Sequence, residues 1–174
     1  MIDKKMESIN NSSYNLKELS RENGIMVVFS CNTCPFVVGN GKFEGWEKQY
    51  NSLYEMAGNN GVGFVLINSN AAKRDNVDSK DEMKKHASSQ KYKMNYLVDE
   101  NASLADAFGA KTTPHVFIFN GKNKLVYKGS IDNSWDSSNK NIEKYASNAL
   151  RALGLGKTIK TTTSQPRGCS IKRK

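Results

Sequence analysis

Three cysteines, three prolines and two histidines among 174 residues exclude several classes of protein. Three cysteines are too few for a disulfide scaffold and leave one thiol odd, which suits a redox pair plus an accessory thiol. His86 and His115 stand alone in the sequence, so a structural zinc site of matched ligand spacing has too few members, and no metal is expected. No apolar run approaches the length of about 18 residues that a membrane helix needs, so a soluble chain with no membrane span is expected. Acidic residues are missing altogether from Leu155 to Lys174, a stretch that holds six basic ones; without it the net charge of +9 falls to +3. The positive charge is therefore mostly local, a solvated tail, and no nucleic-acid partner is expected. No internal repeat or second domain is visible, and the length suits one domain with a sizeable core. Met1-Ile2-Asp3-Lys4-Lys5 leads into domain-like sequence without a signal-peptide pattern. The expectation is a cytoplasmic protein, or an extracytoplasmic (periplasmic) one if a leader was removed upstream.

What is present centres on Ile25 to Phe36. An apolar run rich in β-branched residues, Ile25-Met26-Val27-Val28-Phe29-Ser30, ends at Cys31-Asn32-Thr33-Cys34-Pro35. It reads as a buried strand delivering a CxxC pair to the first turn of a helix. Unpaired N–H groups and the positive end of the helix dipole favour a thiolate there. Proline fits the first helical position because its missing N–H removes no bond.

Around this stretch the pattern predicts a short edge strand over 5–9, a turn at Asn10-Asn11-Ser12 and a small helix over 15–21. A helix over about 42–57 carries Phe43, Trp46, Tyr50, Leu53 and Met56 or Ala57 on one face. Val62 to Asn68 is a buried strand, 69–78 a polar loop and 79–91 an exposed helix capped by Asp78 or Ser79, with His86 in solvent. A strand over 96–99 and a helix over 103–109 follow. The segments 116–119 and 125–127 form a hairpin about Asn120-Gly121-Lys122-Asn123. An amphipathic helix over about 138–153, with Ile142, Tyr145, Ala146, Ala149, Leu150 and Leu153 on its apolar stripe, is the last element; the rest has linker composition.

A second feature is Lys111-Thr112-Thr113-Pro114-His115-Val116-Phe117, a proline immediately before a strand, where an ordinary ladder residue would be expected. The two motifs in this order resemble the thioredoxin-like superfamily, in particular its redoxin branch (alkyl hydroperoxide reductase/thiol-specific antioxidant relatives), over about residues 5–153. The resemblance implies an α/β thioredoxin-like fold: a single domain with a central mixed sheet flanked by helices, over 1–154, and a basic C-terminal tail over 155–174. It also implies a cis-proline at Pro114 facing the cysteines, with the backbone at Thr113 pairing with a substrate polypeptide.

In redoxin sequences the strand phenylalanine lies five positions before the nucleophilic cysteine. Phe29 stands in that relation to Cys34, and Cys31 then occupies the threonine position of the peroxiredoxin TxxCP motif. The ordinary CxxC register instead makes Cys31 the attacker and Cys34 the resolver; proximity to the helix start favours Cys34. The activity so implied is thiol–disulfide oxidoreduction with Cys34, Cys31, Thr113 and Pro114 at the site and no cofactor. Its partners would be protein disulfides or an electron-donor thiol protein. An alternative is a thiol peroxidase with peroxide as substrate and Cys34 as peroxidatic cysteine. The arginine that peroxiredoxins place near the thiol has no recognisable counterpart among Arg21, Arg74 and Arg151. A copper-binding chaperone of this fold is a further alternative, with His115 as its histidine, although the cysteine spacing differs by one.

Cys169 is a candidate resolving thiol. Its neighbours Arg167, Lys172, Arg173 and Lys174 are expected to stabilise a thiolate, and Gly168 to let the backbone present it. The fifteen residues between Leu153 and Cys169 reach on the order of 50 Å when extended, enough to cross a domain of this size.

Overall fold

The computed structural model describes residues 3–174; Met1 and Ile2, with which the readings of the N-terminus and of the domain begin, lie outside the described residues. The chain order is β1 (Met6–Ser8), β2 (Ser13–Tyr14), α1 (Leu16–Leu19), β3 (Gly24–Ser30), α2 (Pro35–Val38), α3 (Tyr50–Asn59), β4 (Gly63–Asn68), α4 (Lys80–Ser89), β5 (Asn95–Val98), α5 (Ser103–Phe108), β6 (Thr112–Thr113), β7 (His115–Asn120), β8 (Leu125–Gly129), α6 (Tyr145–Gly154) and β9 (Cys169–Ser170). Seven strands form one mixed sheet in the order β2-β1-β5-β4-β3-β7-β8, and β6 and β9 pair separately. β3 runs parallel to β4 and antiparallel to β7, so it lies inside the sheet with both edges paired. This is the α/β thioredoxin-like arrangement.

All seven residues of β3 are buried, because helices cover both faces of the sheet. Met26 and Val28 enter one core with Trp46, Tyr50 and Leu53 and with Ala149 and Leu150 of α6. Ile25, Val27 and Phe29 point the other way, into a core with Leu16, Leu104, Ala105 and, from the far C-terminus, Ile171. The period-2 alternation thus splits the apolar run between two cores. Each core locks the strand end that carries the cysteines.

The hairpin, the helices at 79–91 and 103–109 and the capped opening helix lie within a few residues of the sequence reading. The Asn15 side chain accepts from Glu18 N–H while the Glu18 carboxylate accepts from Asn15 N–H, a reciprocal capping box. Two helices begin later than their apolar periodicity suggests. Residues 42–45 are not helical. Asn40 Oδ1 accepts from Lys42 and Phe43 N–H, and Gly45, at φ +83°, packs so closely that a Cβ would lie 2.3 Å from Val37 O. A 3-10 turn over Trp46–Gln49 then leads into α3. Helix α6 begins at Tyr145, not near 138, and Ile142 is exposed. Side chains between have taken the backbone donors: Asp132 accepts from Ser134 N–H, Asp136 from Ser138 N–H and Asn133 from Glu143 N–H.

The linker expectation for residues after 155 is not met. Ser164 N–H donates to Lys128 O and Lys128 N–H to Thr162 O, so this segment lies along β8. It then crosses to the end of β3, pairs with β6 and buries Ile171. Among the described residues no helix is long and apolar enough to cross a membrane.

Candidate active site

The site forms where β3 stops. Ser30 is its last residue, and the next turn is held from below: Asn32 N–H donates to Asp78 Oδ1 at 3.0 Å, and the Asn32 amide donates to Val77 O at 2.8 Å. Cys34 is the N-cap of α2 and Pro35 its first helical residue. The Cys34 carbonyl accepts from Val37 and Val38 N–H at 2.7 and 2.9 Å. α2 lasts a single turn, ended at Gly39, whose φ of +95° few other residues adopt.

The Thr113–Pro114 peptide is cis, and Thr113 faces both sulfurs. Its hydroxyl lies 3.1 Å from Cys31 Sγ, and its carbonyl accepts from Cys34 Sγ at 3.0 Å. Both thiols are almost wholly covered, Cys31 at 2% exposure and Cys34 at 3%. Among the described residues all three cysteines are free.

The two thiols have opposite acidities. Cys34 is lowered to about 5, chiefly because the Cys31 thiol donates to it; the Cys169 thiol and N–H and the Phe36 N–H add to this against the cost of burial. Cys31 is raised well above the ordinary thiol range, since it keeps the proton it shares with Cys34 and is itself buried; the Asp78 carboxylate adds repulsion. The Thr113 carbonyl favours protonated Cys34, but the donors outweigh it.

Cys169 joins this cluster, with its N–H donating to Cys34 Sγ at 3.3 Å. The expected activation of its thiol by basic neighbours fails, and Cys169 is raised to about 11, first by burial and then by the side chain and charge of Cys34. Lys172 acts to lower it without prevailing, and the basic groups have other partners. The Arg167 guanidinium lies 4.4 Å from the centre of the Trp135 ring, Arg173 pairs with Asp106 at 2.6 Å, and Lys172 Nζ donates to Ser170 Oγ.

The two histidines do not serve this cluster. His115 Nδ1 accepts from Lys111 N–H at 3.2 Å and its ring packs on Phe117, so its neutral form carries the proton on Nε2. Burial, with the charges of Lys128 and Lys111, lowers His115 to about 4. His86, expected in solvent, is half-buried with Nε2 2.6 Å from the buried Glu47 carboxylate, which also accepts from Tyr92 OH at 2.9 Å. Among the described residues no group of three or more His, Cys, Asp or Glu side chains could hold a metal ion.

Sequence reasoning missed the support behind the cysteine turn. Asp78, fully buried, accepts from Asn32 N–H, from Asn68 Nδ2 at 2.8 Å and from Asn70 Nδ2 at 2.9 Å. Arg74 donates to Asn68 O and Asp78 O, and Tyr96 OH to Asn32 Oδ1. In the sequence Asn70 and Arg74 read as part of a polar loop, Asn68 and Tyr96 as strand residues and Asp78 as a candidate helix cap. The one local signal was the density of Asn and Asp just after a buried strand. In front of the network a cleft of about 640 Å³ opens beside Asn32 and Thr33, lined also by Val77, Glu82 and His86.

A CxxC pair at a strand-to-helix junction, facing a Thr–cis-Pro turn on a thioredoxin-like sheet, defines a thiol redox protein. More particularly, residues 5–145 match the Redoxin family model, and the chain belongs to that family. An uncharacterized conserved protein from Geobacillus kaustophilus is 30% identical, with a TM-score of 0.85 over 100% of this chain and 91% of its own. The hypothetical protein SMc02350 from Sinorhizobium meliloti is 26% identical, with a TM-score of 0.80 over 99% of this chain and 91% of its own. Peroxidoxin BcpB from Mycobacterium tuberculosis, 13% identical, shares the fold with a TM-score of 0.60 over 88% of this chain and 92% of its own. No curated protein matches the chain.

Proposed function

We propose that the protein is a thiol–disulfide oxidoreductase in which Cys34 attacks and Cys31 resolves. The observation that carries this reading is the placement of Cys34 as the N-cap of α2 with Cys31 buried beside it in the same core, where the Cys34 thiol is lowered to about 5 and that of Cys31 is raised. Cys34 thiolate would attack one sulfur of a substrate disulfide, forming a mixed disulfide and expelling the other sulfur as thiolate. Cys31 would then lose its proton and attack Cys34 Sγ, closing the Cys31–Cys34 disulfide and releasing the second substrate thiol. One substrate disulfide is reduced as one protein disulfide forms, and an electron-donor thiol protein would reverse the change. Thr113 supports the reading by facing both sulfurs.

The cover over the thiols favours a second reading, a thiol peroxidase, because a small oxidant needs little room. Against it, the groups that contact Cys34 Sγ among the described residues are the Thr113 carbonyl, the Cys31 and Cys169 thiols and the N–H groups of Cys169 and Phe36, none of them the arginine that family peroxidases use.

Insulin reduction by dithiothreitol tests the choice. The wild type is expected to accelerate it, and Cys34→Ser and Cys31→Ser each to abolish multiple turnover. Fast peroxide consumption at substoichiometric protein, without insulin reduction, would replace the first reading by the second.

A further inference from the structure

Beside the cysteines, the chain pairs with itself. Strand β9 runs antiparallel to β6, with Cys169 opposite Thr113 and Ser170 opposite Thr112. Ile171 N–H extends the pairing to Lys111 O at 3.0 Å. Gly168 lies so close to the turn that a Cβ on it would stand 2.2 Å from Thr113 O. Only glycine permits that approach.

Anchors on both sides hold the strand in place. Before it, Ser130 Oγ donates to Gln165 O at 2.8 Å and accepts from Arg167 N–H at 3.1 Å. After it, Ile171 is buried, Lys172 N–H donates to Asn70 Oδ1 at 2.9 Å, and Arg173 donates to Ala110 O at 2.7 Å. What this seating achieves is the approach of Cys169 to Cys34. An extended polypeptide lies along the edge next to the cis-proline with a cysteine at the reactive sulfur.

On the oxidoreductase reading above, we propose that residues 167–171 are a tethered substrate strand and that Cys169 is a third redox cysteine, forming a disulfide with Cys34. In the exchange, Cys169 thiolate attacks Cys34 Sγ of the Cys31–Cys34 disulfide. The Cys34–Cys169 bond forms, the Cys31–Cys34 bond breaks, and Cys31 takes up the proton that Cys169 gave. No oxidant or reductant is consumed, because one disulfide replaces another. The same attack on a mixed disulfide between Cys34 and an external thiol releases that thiol. Burial still raises Cys169, but the Cys34 charge that adds to it is absent once Cys34 is in a disulfide, while Lys172 still acts to lower it. An external polypeptide reaches the Thr113 edge by displacing this strand, so the partner that fits is one with a small residue before its cysteine.

Reduced Cys31→Ser protein, treated with one equivalent of the aromatic disulfide dithiobis(nitrobenzoate), provides the test. The expected result is two thionitrobenzoate anions per protein, a mass lower by two hydrogens and a peptide cross-linked through Cys34 and Cys169. One anion with a persistent nitrobenzoate adduct would overturn the proposal. Adding Gly168→Val to Cys31→Ser should unseat the strand while keeping every reactive thiol, and slow release of the second anion by about tenfold or more. Release at an unchanged rate would overturn the role of the strand. Cys169→Ser, which keeps Cys31 and Cys34, tests the underlying reading separately: two anions there with one from Cys31→Ser would remove the third cysteine alone. A lasting adduct on Cys169→Ser would remove the two-cysteine mechanism itself.

Discussion

Cys31 and Cys34 share a residue type, a turn and near-complete burial, yet one holds its proton and the other does not. Burial alone would raise both. The difference lies in donors: Cys34 sits at the helix start and receives the Cys31 thiol, the Cys169 N–H and the Phe36 N–H. Cys31 has the Thr113 hydroxyl and the Thr33 N–H, opposed by the Asp78 charge. Alkylation of the reduced protein with iodoacetamide should therefore follow three separate pH profiles. Labelling of Cys34 should rise through a midpoint at about pH 5, with Cys169 following at about 11 and Cys31 titrating well above the ordinary thiol range. Cys31→Ala removes the largest of the lowering contacts, so the Cys34 midpoint should move up by about one unit or more. The ultraviolet absorbance of the thiolate, followed against pH, gives the same midpoint independently. A Cys34 midpoint in the ordinary thiol range in the wild type would contradict this assignment.

The segment 69–78 braces the cysteine turn through Asp78 and Val77, although its sequence reads as a polar loop ending in a candidate helix cap. Hydrophobic spacing reveals where a strand or helix buries a face. It carries no information about polar side chains that bury one another, as Asn68, Asn70 and Asp78 do. The strand, the CxxC and the proline turn were legible because each is a local pattern with a physical reason. The late starts of α3 and α6 were not, because Asn40, Asp132, Asn133 and Asp136 take backbone donors while the apolar spacing continues past them. The tail was the largest omission: its contacts are strand pairing and single hydrogen bonds to distant residues, and Ile171 is its one deeply buried apolar side chain. Asp78→Ala tests the hidden element directly. It strands the Asn32 N–H and the Asn70 amide and leaves the Asn68 amide with Tyr96 OH alone, and should cost about 2–4 kcal/mol in reversible denaturation. A loss below about 1 kcal/mol would mean that the turn does not depend on this carboxylate.

At the scale of the whole molecule, the fold and the redox state are coupled through the proton that Cys34 lacks. Cys34 is held at about 5 in the folded reduced protein, against 9.0 for an ordinary thiol. A depressed acid contributes stability that is fully present above its unfolded pKa and is lost as pH falls through the folded one. The reduced protein should therefore gain stability from about pH 5 upward until the unfolded thiol also ionises near 9. Above that point the raised Cys31 acts in the opposite direction, because the unfolded chain ionises a thiol that the folded protein keeps protonated. His115, held at about 4 against 6.5, gives a further loss of stability on acidification, but one shared by any variant that leaves it in place. The informative quantity is thus the difference in unfolding free energy between reduced wild type and reduced Cys34→Ser, measured by denaturant titration across this range. That difference should widen in favour of the wild type between about pH 5 and 8. Oxidised wild type, whose Cys34 has no proton to lose, should lack this slope. Because the thiolate would stabilise the reduced form, on the proposed function it would also make a Cys31–Cys34 disulfide the stronger oxidant, as in any dithiol whose reduced state is favoured. A difference that stays flat with pH would place Cys34 near its unfolded acidity and remove the basis for an oxidising pair.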